Sequence, residues 1–224
     1  MTYIVIVVFS VKIKKLEGFL SYFKRKKGFD IIIVDNSIDG RYENLKSKIN
    51  YTKGSNINLD LGGYLEGFSL CSQNAKNYVF MNDIVFHKHL NVLIKWYLLF
   101  KTRDNNHNKA IGLLERQFNV PYLNTSLLIF GEDVIKHFTK KHNRIQIKKY
   151  ASVYRKFGFI SNNWRVTGTA SNNHLTYKKI RMVSLEKYLS LVMLKPYKIK
   201  RSIPLHISRF LAKIINYVTK GITI

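Results

Sequence analysis

Tyr78-Val79-Phe80-Met81-Asn82-Asp83 is an apolar strand run that ends in an amide and a carboxylate, and it follows the glycine-bearing stretch Asn58-Leu59-Asp60-Leu61-Gly62-Gly63-Tyr64-Leu65-Glu66-Gly67. Ligands of open α/β sheets bind outside the carboxyl ends of the strands, so a strand that stops being apolar and delivers Asn-Asp marks a site. Upstream, Asp30-Ile31-Ile32-Ile33-Val34-Asp35-Asn36-Ser37 has the same character. Its unbroken β-branched run suits a strand buried on both faces, and it too closes on polar residues. Asp39-Gly40 then supplies turn chemistry. Tyr3-Ile4-Val5-Ile6-Val7-Val8-Phe9 is a third strand of this kind. Segments near 12–27, 40–49 and 62–76 can be helical. The order β-α-β-α-α-β predicts an α/β fold, Rossmann-like, with a mostly parallel open sheet flanked by helices.

A chain of 224 residues can bury a sizeable core. The expected organisation is a main domain over 1–180 and a basic helical C-terminal extension over 181–224. No run approaches the roughly 18 apolar residues of a membrane span. The first apolar run is short and has no basic segment before it, so it reads as strand rather than leader. Cys71 is the lone cysteine, which excludes an internal disulfide and a cysteine-rich metal site and suits the cytoplasm.

The net charge of +25 is unevenly placed. Residues 1–135 hold 18 Lys+Arg against 12 Asp+Glu, whereas residues 136–224 hold 20 against the single acid Glu186. Such a half calls for a polyanionic partner, either anionic lipid or nucleic acid. Ile207, Phe210, Leu211, Ile214, Ile215 and Val218 recur at helical spacing behind the cluster Lys195, Lys198, Lys200, Arg201. A basic amphipathic helix of this type lies in a membrane interface, or docks on its own domain with solvated lysines. The lipid reading is preferred, because the chain has no zinc-finger, RRM or KH signature and the apolar face suits lipid. The expected location is cytoplasmic, peripheral on the inner face of the cell membrane, with no nucleic-acid partner.

Val34-Asp35-Asn36-Ser37-Ile38-Asp39-Gly40 resembles an early motif of the inverting family 2 glycosyltransferases, which have the GT-A nucleotide-sugar fold. The stretch from Asn58 to Gly67, with Asn82-Asp83 after it, is similar to a rhamnan-synthesis-type subset that assembles bacterial surface polysaccharide such as lipopolysaccharide or capsule. Leu123-Asn124-Thr125-Ser126-Leu127-Leu128-Ile129-Phe130 resembles a later strand of that subset, and the likeness covers about residues 1–135. The resemblance implies transfer of a sugar from a nucleotide-sugar donor to a lipid-linked or surface-glycan acceptor.

It further implies roles for particular residues. Asp35 and Asn36 would meet the nucleotide, or simply form an Asx-turn. Asp60, Gly62 and Gly63 would approach the donor, with a helix N-terminus near Gly63 turned to the phosphates, or Asp60 would only cap that helix. Asn82 and Asp83 would meet the diphosphate. Asp83 would also hold a divalent cation, Mn²⁺ or Mg²⁺, although one acid stands where two are usual. His174 is a second metal-ligand candidate. An inverting transfer needs a carboxylate base; Asp133 and Glu132 are the candidates, and their place at a helix start is equally explained by the helix dipole. Trp164-Arg165 could meet diphosphate or acceptor. The rival readings are a non-catalytic basic nucleic-acid-binding α/β protein and a degenerate transferase kept as a scaffold.

Overall fold

The computed structural model describes residues 1–55, 59–72, 75–88, 91–103, 106–117, 120–142 and 198–201, together with positions 207, 210–212 and 214. The chain runs β1 (Thr2–Val8), α1 (Ile13–Lys24), β2 (Phe29–Asp35), β3 (Asn50–Lys53), α2 (Leu59–Phe68), β4 (Asn77–Asn82), α3 (Ile84–Lys88), α4 (Asn91–Lys101), β5 (Lys109–Gln117), β6 (Val120–Phe130), α5 (Glu132–His142) and β7 (Lys198–Arg201). One seven-stranded sheet results, in the order β3-β2-β1-β4-β6-β5-β7. The β1–β2, β1–β4, β2–β3 and β5–β7 pairs are parallel, whereas β6 is antiparallel to both β4 and β5, so β6 alone is reversed.

Every residue of β1 and β4 is buried, because helices cover both faces of the sheet. The alternation of strand side chains divides β1 between two cores. Ile4, Ile6 and Val8 pack with Leu16 and Phe19 of α1 and with Ile94 and Leu98 of α4. Tyr3, Val5 and Val7 pack with Leu61 and Tyr64 of α2 and with Ile135 and Phe138 of α5. Each fully buried aliphatic or Phe side chain contributes about 1.5–3 kcal/mol, which makes β1 the energetic centre of the fold.

Local sequence explains the elements. In α1, Leu16, Phe19, Leu20 and Phe23 recur at helical spacing and form its buried face, while Lys24 complements the dipole in the last turn. Gly28, at φ 85°, then turns the chain into β2 in a conformation that other residues rarely adopt.

The helix expected over 40–49 is only a single 3-10 turn, Glu43–Leu45, and the chain then forms edge strand β3. Gly40 takes φ 63°, and Tyr42 anchors the segment by donating its hydroxyl proton to the Val11 carbonyl at 2.6 Å, which leaves little length for a helix. The half-exposed sequence Asn50-Tyr51-Thr52-Lys53 lacks the apolar alternation by which a strand is read, so its pairing with β2 is a tertiary effect. The helix expected over 62–76 begins earlier, at Leu59, and ends at Phe68. Residues 198–201, expected to lie in an extension outside the domain, instead add β7 to the edge of the sheet beside β5. The boundary expected at 180 lies outside the described residues. Among the described residues no helix is long and apolar enough to cross a membrane.

Candidate functional site

β1 lies between β2 and β4, and the chain builds one side of the sheet before the other. The carboxyl edge at β1 is therefore a topological switch point, where loops diverge and leave a crevice. β2 brings Asp35 to this edge and β4 brings Asn82, opposite Val8 and Val7 of β1 respectively.

On the β2 side, Asp35 is fully buried. Its Oδ1 accepts the Ser37 backbone N–H at 2.8 Å, an Asx-turn, and its Oδ2 accepts the Tyr51 hydroxyl at 2.6 Å and the Lys53 ammonium at 3.4 Å. Burial raises the pKa of this carboxyl, but the hydrogen bonds from Ser37 and Tyr51 and the Lys53 charge outweigh it and hold the group below its ordinary value. Lys53 also donates to the Ser37 carbonyl at 2.6 Å, and its half-exposed side chain carries the positive charge at this end of β3. Asn36 is buried, yet neither oxygen nor nitrogen of its carboxamide has a partner among the described residues. A buried amide left unpaired is costly, so this pair of hydrogen-bonding atoms is suited to a ligand. Gly54 makes room for it: a Cβ there would come within 1.9 Å of the Asn36 oxygen.

On the β4 side, Asp83 is buried and its Oδ2 accepts three successive backbone N–H groups, from Phe9 at 2.9 Å, Ser10 at 2.6 Å and Val11 at 3.0 Å. The carboxylate thereby fixes the loop that leaves β1, and Oδ1 takes no hydrogen bond among the described residues. Asn82 donates to Asp60 at 2.6 Å and accepts the Ile84 N–H at 3.1 Å, joining the end of β4 to the first turn of α2. Asp60 is buried and also accepts the Thr125 hydroxyl at 3.4 Å. Its pKa is pushed up to about 6, chiefly by burial and further by the Asp83 charge, with the Asn82 and Thr125 hydrogen bonds opposing the rise.

Thr125 enters the site from β6 at an irregularity in the ladder. Gly112 pairs with Leu128 and Leu113 with Asn124, so three β6 residues stand opposite none. Such bulges re-aim side chains beside sites. The Tyr64 hydroxyl donates to the Thr125 carbonyl at 2.6 Å and fixes the bulge against α2.

The structure thus brings Asp60, Asn82 and Asp83 together, with Asp35 and Asn36 across β1 at the same edge. It does not bring Gly62 and Gly63 to a loop at this edge. Both lie inside α2, where a Cβ on Gly63 would come within 2.7 Å of Val7 and one on Gly67 within 2.3 Å of Val5. Gly63 and Gly67 serve close packing of α2 on β1, and the helix begins at Leu59 rather than at Gly63. Nor does it bring Glu132 and Asp133 to the site. Because β6 is reversed, Phe130 pairs with Tyr78 at the start of β4, and α5 begins at the amino edge of the parallel strands. At about 3.3 Å per residue, the length of β4 separates them from Asp83. There Glu132 pairs with Lys136 at 2.5 Å, which with the nearby His107 holds its carboxyl below the ordinary value. His174, Trp164, Arg165 and Glu186 lie outside the described residues.

Tyr51, Lys53, Gly54 and Thr125 are the site residues that the sequence reading missed. Thr125 had a signal, since Asn124-Thr125-Ser126 interrupts an otherwise apolar strand. Tyr51 and Lys53 belong to β3, the strand that went unread, and Gly54 follows it directly.

Among the described residues no three of His, Cys, Asp or Glu cluster as a closed metal site. The donor chemistry fits a more open arrangement, in which one carboxylate oxygen, Asp83 Oδ1, shares a hard cation with the phosphates of a ligand. Compared with known proteins, the chain matches no family model and no curated sequence.

Proposed function

We propose that this protein is a GT-A-type glycosyltransferase that moves a sugar from a nucleotide-sugar donor to a lipid-linked or surface-glycan acceptor, with inversion, at a membrane surface. The observation that carries the reading is the convergence of Asp35-Asn36 and Asn82-Asp83 on neighbouring strand ends flanking β1, at the switch point of the sheet. The mostly parallel sheet with one reversed strand is compatible with a GT-A domain, and the order and spacing of the motifs that resemble family 2 add to it.

In this reading the unpaired carboxamide of Asn36 meets the base or ribose, and Asp35 positions it by holding the turn and Lys53. Lys53 adds positive charge for the diphosphate. Asp83 fixes the loop after β1 with one oxygen and turns the other to the donor's phosphates, where it would hold Mn²⁺ or Mg²⁺. A cation bound there supplies a Lewis acid that offsets charge on the leaving diphosphate. In the transfer the acceptor oxygen bonds to the anomeric carbon, the bond from that carbon to the diphosphate breaks, and a base takes the hydroxyl proton. Glu132 and Asp133 have no part in this proposal.

Membrane association is supported by the charge of the C-terminal half and by its helical positions. Ile207, Phe210, Leu211 and Ile214 are exposed there, whereas Ala212 is buried. Calorimetry with nucleoside diphosphates, with and without Mn²⁺, tests the site. Binding that weakens in Asp83→Asn, a variant that still offers an oxygen to the three N–H groups, is the expected result. No nucleotide binding by the wild-type chain under either condition would overturn the reading.

A further inference from the structure

α4 buries Ile94, Tyr97 and Leu98 in the core and leaves a second apolar face uncovered. Val92, Trp96 and Phe100 recur every fourth residue along it and are 75%, 54% and 47% exposed. The Trp96 and Phe100 rings stack in parallel, with centroids 5.6 Å apart and an interplanar angle of 7°, so the two present one continuous aromatic surface. Lysines flank it. The Lys101 ammonium lies 5.0 Å from the centre of the Phe100 ring, and Lys95 donates to the Gly18 carbonyl at 2.9 Å while lying over the Tyr22 ring of α1.

The charge around the ridge selects its partner. Within α4 the charged residues are Lys95 and Lys101, with no Asp or Glu. An exposed indole with aromatic and aliphatic neighbours between basic side chains is the composition that enters the head-group region of a bilayer.

We infer that the Val92–Trp96–Phe100 ridge of α4 seats in the surface of an anionic lipid bilayer, as a membrane contact separate from the C-terminal helix. α4 follows α3 directly from Asp83, and Asn77, at the start of β4, donates to the Thr102 carbonyl just past its end. The helix therefore descends from the carboxyl edge of the sheet to the amino edge, and Val92 stands at the end that carries the candidate site. Seating the ridge lays this flank of the sheet, the site-bearing edge included, along the lipid. The inference rests on the ridge and its charge and not on the glycosyltransferase reading.

Trp96 is its own reporter. The chain has two tryptophans, and Trp164→Phe leaves Trp96 alone. With phosphatidylcholine vesicles that contain phosphatidylglycerol, its emission is expected to shift to the blue and to be quenched by brominated acyl chains, with no shift on pure phosphatidylcholine. The full-length double variant Trp96→Ser/Phe100→Ser, checked for folding by circular dichroism, is expected to sediment with the anionic vesicles roughly tenfold more weakly than wild type. This second measurement does not depend on Trp164→Phe folding. Vesicle binding with unmoved Trp96 emission and an unaffected double variant would overturn the inference while leaving the C-terminal contact. Conversion of a dimer to a monomer by the double variant, with vesicle binding intact, would also overturn it and make the ridge a face between copies. Nucleotide binding is measured on the same double variant, and its persistence separates this contact from the donor site.

Discussion

Asp60 is a buried acid whose environment opposes its charge. Its folded-state pKa, about 6 against the ordinary 3.8, means that the folded chain keeps a proton the unfolded chain has released between those values. Below 3.8 both states are protonated and the group contributes nothing; as pH rises through the window the folded state is increasingly penalised. At about 1.4 kcal/mol per pH unit the loss is about 3 kcal/mol once pH exceeds the folded value. Asp60→Asn keeps an oxygen for Asn82 and Thr125 and removes the titration. The stability of the variant relative to wild type, from urea denaturation, is expected to rise between about pH 4 and pH 6; parallel curves would exclude this origin. Gly54→Ala acts by shape at the other half of the site. Its methyl group occupies the place of the Asn36 oxygen, so nucleoside-diphosphate affinity is expected to fall by at least roughly tenfold in calorimetry, with the loss of a buried ligand contact of about 1.4 kcal/mol or more.

At the scale of elements, α2 lies against β1 with no room for a Cβ at Gly63 or Gly67. Gly67→Ala would place a methyl group 2.3 Å from Val5, on the fully buried central strand, and is expected to cost about 1–3 kcal/mol in denaturant unfolding. An unchanged midpoint would mean that α2 can shift without loss. The glycines of α2 show how far the sequence was legible. Their spacing was visible, but glycine suits both close ligand approach and close helix packing, and only the position of β1 behind the helix decides between them. β1, β2 and β4 were legible because a strand buried on both faces must be apolar without interruption. β3 was not legible, since an edge strand half in solvent carries no such constraint. The reversal of β6 was equally hidden: strand direction leaves no mark on an apolar run, yet it decides that Glu132 and Asp133 stand at the wrong end of the sheet.

For the whole molecule, the dominant quantity is the net charge of +25. If it holds the protein to an anionic surface, the attraction is screened over a distance that falls from about 10 Å at 0.1 M salt to about 3 Å at 1 M. Sedimentation of the wild-type chain with anionic vesicles is expected to drop steeply across that range, leaving a residue of binding from the apolar contacts. Salt-independent binding would assign the association to those contacts alone.

Local runs of sequence are enough for the α/β class, the three central strands, the polar strand ends at Asp35-Asn36 and Asn82-Asp83, and the charge asymmetry. Each follows from local constraints: burial demands apolar runs, polar residues at their ends signal an edge, and charge is a sum over residues. Packing sets which ends share an edge, that Asp83 clamps the loop after β1, that Thr125 and Lys53 join the site, and that the Asn36 carboxamide is unpaired among the described residues. It also leaves Val92, Trp96 and Phe100 exposed along α4. Those outcomes depend on strand order, direction and register, which join residues far apart in the chain and are set by packing rather than by any local run.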